Sequence, residues 1–371
     1  MQKYGDISAS TVREISAILE SGELSVVSGG LLDEFEKFFA EFFGHEYGVG
    51  TCNGTAALHS GLFAVGVGSG DQVILPTYGY FASASSVLAC GGIPVFCNID
   101  EKTLTIDFED VERKITSRTR ALLVSQPWGN LADAERARCL ADQYNLSLIS
   151  DSSHAHAATW GGQPLGKLYD VVCASLGKNK IISGGELGVL TTSNSQLRDR
   201  ALLLGHSNRV PRDLIGNELD HISNNVGPKY RPHPIAMKIA LDQAKVVHGK
   251  MIIVRQRAQE LEKAIEKAGF SVPRAFRPAK RDYWRVIGLG SKSAVNELFE
   301  RAKLASIHIE YDHYSPLLHM DPLFTEYFKI SQKDHSNLSQ QLSGKIFQFD
   351  ALQLWSDGEL ERILKLFQVS S

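Results

Sequence analysis

Three groups of residues in this 371-residue chain have types and spacings that could do chemistry. Asn53-Gly54-Thr55-Ala56 follows a strand-like run, Tyr47–Thr51, and opens a helical one. A helix starting there presents N–H groups and the positive end of its dipole, a seat for a phosphate. A plain N-cap would account for the same residues. Asp151 follows a strand-like run, Leu146–Ile149, and so lies at the strand end where open α/β sheets bind ligands. Its ordinary alternative is again an N-cap. Lys180 lies just beyond the strand-like Val171–Ser175 and precedes Ile181-Ile182 and Gly184-Gly185, which suggests a side chain pointing inward. Lys178 reads as a solvated charge. A desolvated lysine loses its proton more readily and becomes a nucleophile for Schiff-base chemistry. An anion cradle, a carboxylate for a pyridinium nitrogen and a Schiff-base lysine are the three partners that pyridoxal 5'-phosphate (PLP) needs. Ser175 could add a hydroxyl to the phosphate, and an ionised Asp151 would keep the ring an electron sink.

Two competing site readings carry less. Asp151, His154 and His156 suggest a metal cluster, but no third strong ligand lies nearby and i,i+2 spacing on a turn is a loose signal, so no metal is expected. Gly66-Val-Gly-Ser-Gly70 tempts a dinucleotide reading, yet it follows a helical run and precedes a strand, the reverse of that fingerprint.

The elements that must position these residues alternate between short β-rich runs and helical ones. Strands are expected at Tyr47–Thr51, Gln72–Leu75, Ile93–Cys97, Ala121–Ser125, Leu146–Ile149, Val171–Ser175 and Val189–Thr191. Helices are expected at Ala56–Val65, Phe81–Cys90, Phe108–Lys114 and Ala132–Tyr144. This is the pattern of βαβ units and a largely parallel sheet. Only a short loop separates Lys180 from the strand that starts at Gly188, too little for a crossover helix, so that strand should run antiparallel to its neighbours. The amphipathic stretch Pro234–Lys267 reads as a linking helix. Beyond Trp284 a smaller α+β unit follows, with segments at Val286–Leu289, Ala294–Lys303 and Asp357–Phe367. The fold class is therefore α/β: a large domain with a mostly parallel seven-stranded sheet between helices, plus a smaller C-terminal α+β domain. The expected division is an N-terminal arm at 1–20, a large cofactor domain at 21–245 and a small domain at 246–371.

Composition agrees with this class. Apolar residues are 43% and charged residues 22%, and 39 Lys plus Arg oppose 42 Asp plus Glu for a net charge of −3. That balance lacks the basic footprint of sequence-independent nucleic-acid binding. No stretch approaches the ~18 apolar residues of a membrane span. The start, MQKYGDISAS, has no apolar leader segment. Cys52, Cys90, Cys97, Cys139 and Cys173 are scattered and read as reduced thiols of a cytoplasmic protein.

With these residues assembled, the chain resembles the DegT/DnrJ/StrS family of PLP-dependent aminotransferases, which aminate keto-sugars and keto-cyclitols on an aspartate-aminotransferase-like type I fold. The resemblance runs from Gly22 to about His206 and weakens afterward. It rests on Asn53-Gly-Thr-Ala-Ala-Leu58, Gly68-Ser-Gly-Asp-Gln-Val-Ile-Leu-Pro76, Asp151-Ser-Ser-His-Ala-His156 and Ser175…Lys180…Gly184-Gly-Glu186. It implies that Lys180 holds PLP as a Schiff base, Asp151 pairs with the pyridine nitrogen, and His154 lies near the phenolic oxygen. Tyr80 would stack on the ring, an interaction worth about 1 kcal/mol. Gly54, Thr55, Ala56 and Ser175 would hold the phosphate. The family also implies a homodimer with shared sites, to which Tyr230, Arg231 and the loop around 209–212 would contribute. A family Asn that reaches the partner's phosphate is replaced here by Lys229, in Gly227-Pro-Lys-Tyr-Arg231, leaving that residue either a charged substitute or a plain surface lysine. Two further departures are Gly185-Glu-Leu-Gly188 after the lysine and the polar Ser150-Asp-Ser-Ser153.

The activity so implied is amino transfer in two half-reactions. Glutamate or glutamine would convert PLP to pyridoxamine phosphate, and a ketone on a sugar (nucleotide-linked) or cyclitol would then take the amine. Lys180 would carry the proton between the two carbons. Trp128, His313 and His319 are candidate substrate contacts; packing for Trp128 and solvated loops for the histidines are their plainer alternatives. Two other activities stay open: elimination or aromatisation of the amino-hydroxybenzoate type, and a non-catalytic PLP-binding regulator.

Overall fold

Strand β2 (Gln72–Pro76) has all five residues buried, the mark of a strand covered on both faces. The computed structural model describes residues 7–206, 208–209, 228–311, 317–330, 342 and 344–368. Around β2 it builds a seven-stranded sheet from β1 (Tyr47–Thr51), β3 (Ile93–Cys97), β4 (Thr119–Ser125), β5 (Ser147–Asp151), β8 (Val171–Ser175) and β9 (Gly188–Thr192). A short hairpin of β6 (Thr159–Trp160) and β7 (Gln163–Pro164) separates β5 from β8. The strand order is β1-β9-β8-β5-β4-β2-β3. Neighbours pair in parallel except at β9, which is antiparallel to both β1 and β8, as the short loop after Lys180 requires. The α/β class with a mostly parallel seven-stranded sheet is thus as read from the sequence.

That order places the chemistry. Strands β2, β4, β5 and β8 run in one direction, and β1, across the reversed β9, runs with them. Their C-terminal ends all reach one edge of the sheet, so the residues after β1, Asp151 at the end of β5 and Ser175 at the end of β8 meet there. Helices α2 (Gly30–Phe43), α3 (Gly54–Ala64), α4 (Phe81–Ala89), α5 (Phe108–Lys114), α6 (Ala134–Tyr144) and α7 (Ser195–Leu203) cover the sheet. Helix α3 is apolar nearly all round, with eight of its eleven residues buried, because it packs against β8 and β9 on one side and α4 and α7 on the others.

Helix α8 (Pro234–Lys267) is one unbroken 34-residue rod, so the expected boundary at residue 245 falls within it. Pro234 is tolerated because it occupies the first turn. Helix α1 (Ala9–Ser21) lies on α8, with the Thr11 hydroxyl donating to Asp242 at 2.7 Å. Beyond α8, β11 (Arg285–Leu289), β13 (Ile346–Asp350) and β12 (Glu310–Tyr311) form an antiparallel sheet in that order. Helix α9 (Lys292–Leu304) and a last helix, Asp357–Lys365, belong to the same unit. One apolar cluster runs from Leu32 and Phe35 through α8 to Phe347 and Phe367, so both sheets share a core. The strand β10 (Ala279–Lys280) pairs with β6 and draws the entry to β11 back against the large sheet.

Candidate active site

A cleft of about 430 Å³ opens at the shared strand edge. Its walls include Asn53, Gly54, Thr55, Tyr80, Asp151, His154, Ser175 and Lys180, residues that come from four separate strand ends.

At the phosphate end, Asn53 caps α3, its Oδ1 accepting from the Ala56 N–H at 2.8 Å. This corrects the expected role of Ala56: its N–H is taken by the cap and its side chain is buried outside the cleft. The N–H groups of Gly54 and Thr55, which precede the first intrahelical bonds, stay at the mouth of the helix. Gly54 is required by proximity. A Cβ there would lie 2.5 Å from the Ser175 Cβ, so only glycine lets the helix end meet the end of β8. Ser175 donates its N–H to the Ser153 hydroxyl at 3.0 Å, and its own Oγ accepts from the Gly177 N–H at 3.2 Å. Two helix-end N–H groups and a serine hydroxyl therefore converge, a cradle suited to a phosphate dianion.

Asp151 is held from two sides. The Ser153 N–H donates to Oδ1 at 3.1 Å and the Ser83 hydroxyl of α4 donates to Oδ2 at 3.3 Å. Lys180 follows Asn179, which takes a left-handed conformation at φ 64°. Burial is the main force pulling the Lys180 pKa down from its usual value, to about 8; the Arg285 charge pushes the same way and Asp151 opposes it. A substantial fraction of this amine is therefore neutral near physiological pH.

His154 accepts the Trp128 N–H on Nδ1 at 3.3 Å, so the proton of its neutral ring sits on Nε2. The turn that offers this N–H is unusual: Trp128 has φ 53° and Gly129 has φ 95°. A Cβ on Gly129 would meet the Asp282 carbonyl oxygen at 2.6 Å and the His154 carbonyl oxygen at 2.9 Å. His156, two residues on, is no ligand. Its Nδ1 accepts from the Ile182 N–H at 3.1 Å and its Nε2 donates to the Ser175 carbonyl at 2.9 Å. Burial, reinforced by Lys180, lowers its pKa to about 3, so it is a neutral strut beneath the Lys180 loop. No cluster able to hold a metal occurs among the described residues.

Other expected site residues lie elsewhere. The Trp128 side chain is buried against Tyr78, with ring centroids 5.5 Å apart, and does not line the cleft; the backbone of Trp128 is the part that serves the site. His319 lies on a 3₁₀ turn at Leu318–Met320, beyond β12, bonded to the hydroxyl of Thr77, the residue after β2, and outside the cleft lining. Lys229 is exposed, and Tyr230 bonds His59 at 2.7 Å on the flank of α3. Neither they nor Arg231 line the cleft of their own chain. His313 lies outside the described residues. Tyr80 does line the cleft, at 51% exposure, with its ring 4.4 Å from Phe81.

Sequence reasoning missed three cleft contributors: Ser83, Trp284 and Arg285. Trp284 stacks on His154 at 3.7 Å and 10°, and the Lys180 Nζ lies 4.5 Å from the centre of its ring. Arg285 is buried beside it and pairs with Asp350 at 2.7 Å. Nothing local in Tyr283-Trp284-Arg285 marks these as site residues, because Trp284 meets His154 and Lys180 only across more than a hundred positions of chain.

Comparison with known proteins places this geometry in a class. The fold is that of solved aminotransferase-type structures: the 3-amino-5-hydroxybenzoic acid synthase matches with a TM-score of 0.87 at 20% identity, over 98% of this chain and 96% of that one. An aminotransferase from Psychrobacter cryohalolentis matches with a TM-score of 0.88 at 22% identity, again over 98% and 96%. A profile of the DegT/DnrJ/EryC1/StrS aminotransferase family matches residues 6–368, and the chain belongs to that family.

Among curated relatives, a GDP-perosamine synthase from Caulobacter vibrioides is 38% identical over 50% of this chain and 51% of its own. An L-glutamine:2-deoxy-scyllo-inosose aminotransferase from Streptomyces lividus is 35% identical over 54% and 49%. The chain thus spans about half the length of these relatives. A GDP-perosamine synthase from Escherichia coli O157:H7 is 29% identical over 81% of this chain and 80% of its own. Members of the family are PLP-dependent. Among the described residues no helix is long and apolar enough to cross a membrane.

Proposed function

We propose that this chain is a PLP-dependent aminotransferase that moves an amino group from glutamate or glutamine to a ketone of a sugar or of a cyclitol.

 The acceptor class is thus a keto-sugar, nucleotide-linked, or a keto-cyclitol. The observation that carries this reading is the convergence of Lys180, Asp151 and the Gly54–Thr55–Ser175 cradle in one cleft of about 430 Å³. The match to glutamine:cyclitol and GDP-sugar relatives supports the acceptor and donor classes.

The residues present fit PLP on chemical grounds. The cradle exists only because position 54 lacks a Cβ, and it offers two N–H groups and a hydroxyl able to donate to a phosphate. Asp151, fixed by Ser83 and Ser153, would hold a protonated pyridine nitrogen. His154 would turn its Nε2 proton toward the phenolic oxygen, and Tyr80 would cover the ring. Lys180 would hold the cofactor's carbonyl carbon. When bound, PLP supplies an electron sink that stabilises negative charge at the donor's α-carbon.

The chain's own part is proton handling and positioning. With a pKa near 8, the Lys180 amine can take a proton from a carbon and return it to another within reach. Asp151 would hold a pyridine nitrogen in its charged form through opposing charge.

A homodimer with shared sites belongs to the same proposal. Half-exposed Tyr80 and Phe81 beside the cleft give it an apolar rim that a second copy would cover, and Lys229, Tyr230 and Arg231 would then serve the partner's site. A cytoplasmic location is part of this reading.

Two measurements test it. Adding glutamine or glutamate to the PLP-loaded protein should bleach the absorbance of the lysine-bound cofactor as pyridoxamine phosphate forms. Lys180→Ala should abolish turnover while still binding pyridoxamine phosphate. Retained turnover in that variant would overturn the assignment, and a protein that stays yellow with either donor would favour a regulator.

A further inference from the structure

Trp284 reaches the cleft from the C-terminal sheet, yet it touches both Lys180, the amine that would move protons, and His154. Its ring lies parallel to His154, 3.7 Å away at 10°. The Lys180 Nζ sits 4.5 Å from the centre of the same ring system. We propose that Trp284 is a positioning residue, its indole holding the Lys180 ammonium and the His154 ring in working geometry and tying both to the seating of the C-terminal sheet.

The indole is itself tightly held. Its Nε1–H donates to the Asn179 carbonyl, the residue before Lys180, at 2.6 Å. Its backbone N–H donates to the Trp128 carbonyl at 2.9 Å, on the same turn that supplies the N–H to His154. Two residues upstream, Asp282 is buried against Arg255 at 2.7 Å and also accepts the Ala157 N–H at 2.6 Å. The Asp282 N–H donates to the Gly129 carbonyl at 3.0 Å. Trp284 is thus fixed from the Lys180 loop, the Trp128 turn and α8 together, more restraint than an aromatic needs merely to fill space.

A cation over an aromatic face is stabilised in its charged form. The other groups around Lys180 are Asp151 from β5, which favours the ammonium, and Arg285 from β11, which opposes it. Arg285 lies over the same indole, 4.3 Å from its ring centre, and is balanced there by Asp350 of β13 at 2.7 Å with Glu310 of β12 facing it. His156 stands neutral behind the loop, and Lys178 and Glu186 line the cleft mouth. Against this background the indole is a second stabiliser of the ammonium beside Asp151, and it comes from a different part of the chain.

The proposal rests on Lys180 as the reacting amine, but its test uses the cofactor-free protein. The pH dependence of Lys180 acylation by acetic anhydride, read by mass spectrometry of its peptide, gives the titration point of that one amine. In Trp284→Leu, which keeps apolar bulk and loses the π face, that point should fall by about half a unit to one unit. Trp284→Phe keeps a face and should stay within a few tenths of the wild type. A purely structural role predicts the opposite sign in the Leu variant, because looser packing admits water and returns the amine toward its ordinary value. An unchanged or raised value in Trp284→Leu, or an equal fall in Trp284→Phe, would therefore overturn the proposal. If the Leu variant fails to fold, the wild type decides: the Lys180 ε-CH₂ proton resonances should lie upfield of the other lysines through the indole ring current, and ordinary shifts would overturn it. A protein that takes up no PLP would sink the aminotransferase reading and leave this result standing.

Discussion

At the scale of single residues, the cleft depends on one missing atom as much as on any reactive group. Gly54 allows the end of α3 to meet Ser175, and a Cβ there would sit 2.5 Å from the serine Cβ. Gly54→Ala should push helix and strand end apart, at a cost of about 1–3 kcal/mol, and weaken PLP affinity at least tenfold. Titration of cofactor-free protein with PLP, beside a thermal melt, would check this; unchanged affinity would remove the cradle from the argument. Lys180, Asp151 and Gly54 were legible in the sequence because each lies at or a few residues beyond the end of a strand-like run. Ala56 was misjudged because an N-cap and a phosphate compete for the same N–H groups, and here the Asn53 side chain has taken the one on Ala56. Ser83, Trp284 and Arg285 were invisible because their roles arise only when distant segments meet.

At the scale of elements, topology was easier to read than side-chain placement. Tyr47–Thr51, Ile93–Cys97, Val171–Ser175, Phe108–Lys114 and Pro234–Lys267 have the bounds the sequence suggested. The reversed strand β9 followed from loop length alone, and it is what returns β1 to the direction of β8 and carries Asn53 to the cleft. The turn at Trp128–Gly129 was not legible, since Pro127-Trp-Gly129 gives no sign that a tryptophan adopts φ 53°. This turn joins the large sheet to the segment that enters β11, through the Asp282 N–H to Gly129 and the Trp284 N–H to Trp128. Gly129→Ala should break that junction, since φ is positive and the Asp282 carbonyl is 2.6 Å from the new Cβ. The expected loss is about 2 kcal/mol or more of stability, together with faster proteolysis around residues 128–129. Urea unfolding would measure the first, and a wild-type midpoint would show that the turn relaxes freely.

At the scale of the whole molecule, the near-neutral net charge of −3 hides several buried ionisable groups that folding must keep uncharged or paired. His156 and His206 are both buried, and burial lowers the pKa of each to about 3. In the unfolded chain each returns to about 6.5. The folded pKa is the lower one, so the stability these residues permit is complete above pH 6.5 and is lost progressively as pH falls toward 3. The slope is roughly 1.4 kcal/mol per pH unit for each histidine. Burial raises the carboxyl pKa of Glu36, Glu262 and Asp282, and these act in the opposite sense at lower pH, so net stability alone is a poor test. A difference between variants removes them. Asn at position 156 places its Oδ1 where the histidine Nδ1 accepts from the Ile182 N–H, and it does not titrate. The stability advantage of wild type over His156→Asn should therefore shrink by roughly 2 kcal/mol between pH 7 and pH 5. Urea midpoints for the two proteins at both pH values would show it, and curves that stay parallel would mean that His156 takes up its proton over the same pH range folded as unfolded.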